Sequence, residues 1–86
     1  MQIELYYKPH CAFSAKVLDF IQEYHLQNAV RLFDISKDEV ARQRLHEKSG
    51  KTLVPCLFVN EKYIFESVQI IDWLVLNLLP NGRKAA

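Results

Sequence analysis

The sequence predicts a single α/β domain in which three helices flank a four-stranded mixed sheet. Segments that alternate in polarity and segments with helical periodicity follow one another in the order β-α-β-α-β-β-α. The opening βαβ unit requires two parallel strands joined by a right-handed crossover. The closing ββα unit supplies an antiparallel hairpin, so the sheet combines both pairings. At 86 residues, half of them hydrophobic, the chain is long enough for one packed core.

The first strand is predicted over residues 2–7, where apolar and polar side chains alternate. Tyr6 falls on the polar side of this pattern, and Pro9 ends the strand because it has no N–H to donate. The side that is predicted to face the core holds Ile3, Leu5 and Tyr7. From Ala12 onward the apolar residues recur with the period of an amphipathic helix. One stripe of this helix holds Val17, Phe20, Ile21 and Tyr24.

A second strand is predicted over residues 29–34, followed by a second helix that begins at Ser36. Ser36 and Glu39 have the spacing of a capping box, in which each side chain binds a backbone N–H of the first turn. Gly50 is placed to end this helix in the left-handed conformation. We expect the helix to be well exposed because its apolar contacts are few: Val40, Ala41 and Leu45.

A hairpin and a last helix complete the predicted domain. The third strand is predicted over residues 56–59, and residues 60–61 form a tight turn into a fourth strand over residues 63–65. Ser67 is placed to cap the last helix, and Pro80 ends it. The inward side of this helix is predicted to hold Val68, Ile71, Leu74, Val75 and Leu78. The domain therefore spans residues 1–80, and residues 81–86 are predicted to fray.

Charge and composition argue against several functional classes. The net charge is +1, and acidic residues lie among the basic ones, which does not match the basic stripe that nucleic acids require. No apolar run approaches the roughly 20 residues needed to span a membrane. No secretory signal opens the chain, so a cytoplasmic location is expected. The two cysteines and three histidines have no zinc-binding spacing, and no structural metal is expected.

Cys11 is the first candidate for chemistry because it lies between the first strand and the first helix. The free N–H groups and the dipole of a helix N-terminus stabilise negative charge. Cysteine pKa values fall from about 8.5 to about 3.5–7.5 in such positions. Lys8 adds a positive charge on the same loop. The alternative interpretation is a buried structural thiol, but a strand-to-helix loop is a poor place for a core residue.

Two short segments carry a family resemblance: Tyr7-Lys8-Pro9-His10-Cys11-Ala12-Phe13-Ser14 and Leu53-Val54-Pro55. They resemble the active-site segment and the cis-proline segment of the glutaredoxin family. The resemblance runs from about Ile3 to Leu74 and implies a thioredoxin-like fold. It also implies a glutathione-dependent thiol–disulfide oxidoreductase that serves cellular redox homeostasis and electron transport, with Cys11 as the catalytic thiol. In the family, the cis-proline turns the N–H and C=O of the preceding residue, here Val54, toward the thiol.

Two departures from the family's usual C-P-Y-C motif bear on the mechanism. Ser14 stands where the family has its second cysteine, which gives a C-x-x-S motif. A serine hydroxyl can donate a hydrogen bond to a thiolate but cannot form a disulfide, so Ser14 is predicted to modulate Cys11. The monothiol route remains, in which Cys11 attacks a glutathionylated substrate and a second glutathione regenerates it. Ala12 replaces the proline of the motif at the first helical position, where proline is favourable but not required.

A third departure follows the fourth strand, where Phe65-Glu66-Ser67 replaces the family's glycine pair and acidic pair. This segment resembles the Glu-Ser pair of glutathione transferase N-terminal domains, which holds the γ-glutamyl end of glutathione. Glu66 suits the ammonium group of the ligand, and Ser67 with nearby N–H groups suits its carboxylate. The alternative is that Ser67 only caps a helix. The glutathione-binding residues that the resemblance implies are Lys8 at the glycyl carboxylate, Phe13, Val54, Pro55, Glu66 and Ser67.

Three functions remain open from the sequence. The leading prediction is a monomeric monothiol glutaredoxin that reduces protein–glutathione mixed disulfides or small disulfides, with glutathione as co-substrate. The second is a carrier in which Cys11 and glutathione hold a [2Fe–2S] cluster between two chains. The third is a non-catalytic glutathione-binding module similar to a transferase N-terminal domain. Cys56 is interpreted as a core residue, with a resolving thiol as the alternative.

Overall fold

The seven elements lie in the order that the sequence predicts. The computed structural model describes residues 2–80, so the predicted fraying of residues 81–86 lies outside the described residues. The strands are β1 (Ile3–Tyr7), β2 (Arg31–Asp34), β3 (Cys56–Val59) and β4 (Lys62–Ile64). The helices are α1 (Ala12–Glu23), α2 (Glu39–Ser49) and α3 (Ser67–Leu78).

The sheet is mixed and has the strand order β2-β1-β3-β4. β1 runs parallel to β2, with Tyr7 opposite Asp34, and antiparallel to β3, with Tyr6 opposite Cys56. An antiparallel hairpin adds β4 at the edge. The predicted α/β fold with a four-stranded mixed sheet is therefore confirmed. The C-terminal end of β1 and the N-terminal end of β3 lie at the same end of the sheet. The loop before α1 therefore lies beside the segment before β3.

Both faces of the sheet are covered, and this corrects one expectation. α1 and α3 cover one face over a buried cluster that holds Ile3, Leu5, Val17, Ile21, Leu26, Val30, Leu57, Ile70 and Leu74. α2 covers the other face over a second cluster that holds Tyr6, Ile35, Ala41, Leu45, Cys56 and Phe58. Tyr6 is therefore fully buried, although the alternation placed it on the polar side. Alternating polarity reports one buried face, whereas helices on both sides bury two.

Arg44 joins α2 to the buried Tyr6. Its Nε donates a hydrogen bond of 2.7 Å to the Tyr6 hydroxyl, which donates in turn to Glu4 Oε1 at 3.2 Å. The guanidinium also stacks over the Phe33 ring, 4.8 Å from its centroid. Burial raises the pKa of Tyr6, so the phenol stays protonated and keeps its donor role in this network.

Replacing Arg44 with methionine is expected to lower the free energy of unfolding by about 1–3 kcal/mol. The substitution removes a hydrogen bond to a buried hydroxyl and a stacked cation, while it keeps a long apolar stem. Urea unfolding measures the effect. Arg42→Met on the same helix is the matched control, because Arg42 pairs with exposed Glu39 at 3.2 Å, and its loss should stay below about 0.5 kcal/mol. Equal losses in the two variants would contradict the role given to Arg44.

α2 begins later than predicted. Its N-cap is Asp38, whose side chain accepts a hydrogen bond of 3.0 Å from the N–H of Ala41. Ser36 does not cap the helix, because its N–H and hydroxyl both donate to the Asp34 carboxylate, at 2.9 and 2.6 Å. That local turn after β2 competes with helix initiation. The predicted end is confirmed, since Gly50 has a φ of 79° in the left-handed region.

Two valines that were predicted to face inward are exposed instead. Val40 on α2 is 68% exposed, and Val68 on α3 is 61% exposed. The inward stripe of α3 begins with Ser67 and Ile70 and continues to the buried Leu74. The pattern assigned the first inward position to Val68 because a serine was not counted as part of an apolar stripe.

The start of α3 also differs from the prediction. Glu66 is the N-cap and Ser67 is the first helical residue, and no side chain caps the helix. The preceding β4 begins one residue earlier than predicted, at Lys62. Within residues 2–80, no helix has the length and apolar character needed to cross a membrane.

Candidate functional site

Cys11 is the N-cap residue of α1, and its side chain is partly exposed. Its backbone is extended (φ −91°, ψ 121°), and its carbonyl accepts the first helical hydrogen bond, 2.9 Å from the N–H of Ala15. The turn before it closes with a hydrogen bond of 3.2 Å from the Cys11 N–H to the Lys8 carbonyl. The thiol therefore lies over the first turn of a helix, where backbone N–H groups have no partner within the helix.

The surroundings of the sulfur lower the pKa of Cys11. Partial desolvation is the largest influence and acts in the opposite direction, because burial disfavours the thiolate. It is outweighed by hydrogen bonds to the sulfur from the N–H groups of Ser14 and Phe13 and from the Ser14 hydroxyl, together with the charge of Lys8. This is the direction that the sequence predicts for a thiol at a helix N-terminus.

Ser14 lies in the first turn of α1 and is fully buried. Its Oγ accepts a hydrogen bond of 3.4 Å from the N–H of Lys8, which ties the loop before Cys11 to the helix. A hydrogen bond with the Ser14 side chain is one of the causes that lower the pKa of Cys11. The side chain at position 14 beside the Cys11 thiol is therefore a hydroxyl and not a second thiol.

Replacing Ser14 with alanine is expected to move the ionisation of Cys11 to higher pH, because the thiolate loses a hydrogen-bond donor. At a pH below the midpoint, the thiolate fraction should fall by about tenfold, the effect of one hydrogen bond to a charged group. Thiolate absorbance in the ultraviolet, followed against pH, measures the change. Ser36→Ala, at an exposed turn, serves as the control. An unchanged curve for Ser14→Ala would contradict the modulating role of Ser14.

The segment before β3 approaches the thiol. The Val54–Pro55 peptide bond is cis, as the family resemblance predicts. The Sγ of Cys11 lies 3.9 Å from the carbonyl oxygen of Val54, across 43 positions of sequence. The two segments that carry the resemblance therefore meet at one end of the sheet, where β1 ends and β3 begins.

A groove of about 210 Å³ opens beside this contact. It is lined by Phe13, Leu53, Val54, Pro55, Phe65, Glu66 and Ser67. Five predicted glutathione-binding residues are among them, whereas Lys8 stands on the neighbouring loop and does not line the groove. Leu53 and Phe65 were not predicted as site residues. Each directly precedes a predicted pair in the sequence, and that adjacency was the signal available for finding them.

The polar end of the groove is the start of α3. Ser67 is only 7% exposed, and its hydroxyl has no hydrogen-bond partner within residues 2–80. The Glu66 side chain is exposed and leaves the first-turn N–H groups of α3 uncapped. A carboxylate acceptor therefore lies next to unpaired donors, an arrangement that suits a ligand with adjacent ammonium and carboxylate groups.

Cys56 is fully buried at the start of β3, as the core interpretation predicts. Desolvation raises the pKa of Cys56 to about 12, so this thiol stays protonated at neutral pH. Two larger surface hollows, of about 350 and 500 Å³, are lined by residues of α2 and of the β3–β4 hairpin and include neither cysteine. Of the two thiols, Cys11 is the one suited to chemistry.

Comparisons with known proteins agree with this geometry. A family model described as glutaredoxin matches residues 3–64. A comparison with curated proteins gives no significant match. Among solved structures, glutaredoxin from E. coli is 25% identical, with a TM-score of 0.57, and the match covers 91% of this chain and 98% of that one.

Two further structures show the same fold. A thioredoxin-like protein is 26% identical, with a TM-score of 0.65, and the match covers 81% of this chain and 99% of that one. A glutaredoxin from Archaeoglobus fulgidus is 16% identical with the same TM-score, and the match covers 80% of each chain. At that lower identity the likeness shows the fold alone.

Proposed function

Because the chain belongs to the glutaredoxin family, we propose that it is a glutathione-dependent oxidoreductase of the monothiol type that reduces protein–glutathione mixed disulfides. One observation carries this proposal: Cys11 is a partly exposed thiol of lowered pKa, and its sulfur lies 3.9 Å from the carbonyl oxygen of Val54, a residue that lines the groove. At the position where the family has its second cysteine, this chain has Ser14. A single activated thiol supports exchange with glutathione and leaves no internal disulfide to form.

In the first step, the Cys11 thiolate attacks the glutathione sulfur of the mixed disulfide. The new S–S bond joins Cys11 to glutathione, and the substrate sulfur leaves with the bonding electron pair and takes a proton from water. Ser14 stabilises the attacking thiolate before the bond forms but cannot displace glutathione afterwards. Buried Cys56 is equally unsuited to displace it.

In the second step, a second glutathione thiolate attacks the mixed disulfide on Cys11. Oxidised glutathione leaves, and Cys11 returns as the thiolate that the helix terminus stabilises. In the net reaction one disulfide is exchanged for another: the incoming glutathione thiol is oxidised, the substrate thiol is released, and the glutathione of the mixed disulfide leaves as half of oxidised glutathione. A lowered pKa helps this step as well, because a stable thiolate is a good leaving group.

The groove supports binding of glutathione in one orientation. Its γ-glutamyl ammonium would pair with Glu66, and the adjacent carboxylate would accept from Ser67 and the first N–H groups of α3. Val54 would offer its backbone to the cysteinyl unit, and Phe13 would flank it. Lys8 would meet the glycyl carboxylate from the neighbouring loop.

Glutathione-coupled turnover of a glutathionylated peptide tests the proposal. The wild-type chain should release the peptide thiol at a rate that saturates with glutathionylated peptide and rises with glutathione. A peptide disulfide without glutathione should react far more slowly, because the γ-glutamyl contacts are absent. Equal rates for the two peptides would argue against a glutathione site.

The two alternative functions make different predictions. Within residues 2–80, no three histidine, cysteine, aspartate or glutamate side chains form a metal-binding group, so a [2Fe–2S] cluster would need a second chain and glutathione. Anaerobic reconstitution without visible absorbance would remove that function. A non-catalytic module would bind glutathione without turnover, and the lowered pKa of Cys11 favours catalysis over it.

A further inference from the structure

The outer side of β4 is open. β4 is the last strand of the sheet, and no strand among residues 2–80 pairs with its outer side. A two-residue turn joins it to β3, so Val59 and Lys62 beside the turn exchange backbone hydrogen bonds. The bonding alternates along the ladder, and the next pair, Phe58 and Tyr63, directs its backbone groups away from each other. The N–H and C=O of Tyr63 therefore point out of the sheet edge, where a further strand would bond to them.

One face of this edge borders an apolar hollow. The hollow has a volume of about 500 Å³ and is lined by the turn before β4, by all of β4 and by Trp73 of α3. Ile64 and Trp73 pack against the buried cluster beneath α1 and α3, so the hollow has an apolar wall. An apolar side chain that enters the hollow from the edge would bury its surface against this wall.

The opposite face of the same edge carries aromatic rings and lysines. The centroid of the Tyr63 ring lies 5.8 Å from that of Phe58 and 5.4 Å from that of Phe65. The ammonium group of Lys48 stands 5.7 Å from the Phe58 centroid, and that of Lys51 stands 5.9 Å from the Phe65 centroid. Both lysines are exposed, and neither forms an ion pair within residues 2–80. Two positive charges therefore flank Tyr63, which is itself 45% exposed.

Charge decides which strand fits this edge. Lys62 adds a third positive charge in β4 itself, and Glu61 in the turn offsets one of the three. An edge lysine is a common defence against pairing with further strands. A second copy of this chain would bring the same lysines against Lys48, Lys51 and Lys62, so like charges would oppose pairing of β4 with itself. An acidic strand would instead place carboxylates beside the lysines.

We propose that the open edge of β4 is a docking site for an extended segment of a partner protein in which acidic residues alternate with apolar ones. The segment adds to the four-stranded sheet as an antiparallel strand and exchanges two backbone hydrogen bonds with Tyr63. The residue opposite Tyr63 places its side chain on the same face as that ring, so the acidic positions lie beside Lys48 and Lys51. The apolar positions enter the hollow beside Trp73. Docking requires no reaction at Cys11.

The fluorescence of Trp73 tests the proposal, because this residue is the single tryptophan of the chain. The probe is a short capped peptide without tryptophan, in which glutamate alternates with valine. Titration at neutral pH and low salt should change the Trp73 emission along a saturating curve. A peptide with lysine in place of glutamate should bind at least about tenfold more weakly, because attractive contacts become repulsive. Equal affinities, or no change in emission with the glutamate peptide, would overturn the proposal.

Backbone methylation of the peptide tests the added strand. In the antiparallel arrangement, the glutamates direct their N–H groups toward β4, whereas the valines direct theirs toward solvent. Methyl groups on the glutamate nitrogens should weaken binding at least about tenfold, and methyl groups on the valine nitrogens should change it by less than about threefold. Equal losses, or the reverse order, would overturn the inference.

Matched lysine variants test the charge contribution. Lys48→Gln combined with Lys51→Gln should weaken binding of the glutamate peptide by about three- to tenfold and reduce its dependence on salt. The control combines Lys16→Gln with Lys37→Gln, which removes the same net charge from exposed positions of α1 and of the turn before α2. The control should change the affinity by less than about twofold. Equal losses for the two pairs would show that only net charge matters, and would count against the docking site.

Self-association is the competing occupant of the edge. Sedimentation of the chain alone should show a monomer at the concentrations used for the titration. Tyr63→Pro removes the outward N–H at an edge position where proline is tolerated. A wild-type dimer that Tyr63→Pro converts to a folded monomer would show that a second copy covers β4, and the proposed partner segment would be wrong.

Discussion

Cys11→Ser is expected to lower glutathione-coupled turnover of a glutathionylated peptide at least about a thousandfold, to the uncatalysed rate. A serine hydroxyl in the same position stays protonated at neutral pH and forms no bond to sulfur that a second glutathione could exchange. The groove is left intact by this substitution. Glutathione binding should therefore persist while turnover is lost, and calorimetry alongside the coupled assay separates the two effects.

Cys56→Ala is the matched control, because it removes the other thiol of the chain. Cys56 is fully buried in the cluster beneath α2, and its thiol stays protonated. The variant should keep its turnover and lose about 1–2 kcal/mol of stability from the smaller side chain. A folded Cys56→Ala protein without turnover would show that this thiol takes part in the reaction. Residual turnover in Cys11→Ser would contradict the assignment of the nucleophile.

The sequence predicted the elements well where one physical signal dominates. The start of α1 at Ala12 and the bounds of β3 are as predicted, because a change of period or a proline marks each. The predicted start of α2 was wrong, because two short polar side chains, those of Ser36 and Asp38, could each cap the helix. The Asp34 carboxylate binds Ser36 and leaves Asp38 as the cap. Residue types alone do not decide which of two such turns forms.

Burial was harder to predict than secondary structure. Tyr6 carries a hydroxyl and alternates with apolar residues, so the pattern favoured the polar side. Its burial depends on Arg44, which is 38 positions away and supplies the partner that the hydroxyl needs in the core. A contact between residues so far apart in the sequence does not affect local periodicity. It is seen only in the three-dimensional structure, where α2 packs on the sheet.

The candidate site likewise has features that local sequence predicts and features that it does not. The position of Cys11 at a helix N-terminus follows from local sequence and elementary electrostatics. The contact between Cys11 and Val54 spans 43 positions, and only the family resemblance suggested it. Leu53 and Phe65 line the groove because the segment before β3 and the start of α3 meet in three dimensions. Neither residue has a chemical signature of its own that could have marked it as part of a site.

Ser14→Cys is expected to convert the chain from a monothiol to a dithiol protein. Residues three apart at a helix start have their Cβ atoms about 5–6 Å apart, which is close enough for a disulfide after small adjustment. After treatment with oxidised glutathione, wild-type Cys11 should remain glutathionylated. In Ser14→Cys, the new thiol should displace glutathione, and the glutathionylated fraction should fall at least about tenfold because the attack is intramolecular.

Intact-mass measurement distinguishes the two products, since one retains glutathione and the other has lost two hydrogens. Ser36→Cys adds a thiol at an exposed turn before α2 and should leave Cys11 glutathionylated. Persistent glutathione on Cys11 in a folded Ser14→Cys protein would mean that position 14 does not reach the sulfur. The same result would contradict the hydrogen bond through which Ser14 stabilises the thiolate, because both depend on one approach. The hydroxyl at position 14 thus contributes to the lowered pKa of Cys11, and in the proposed mechanism its inability to form a disulfide leaves the release of glutathione to a second glutathione.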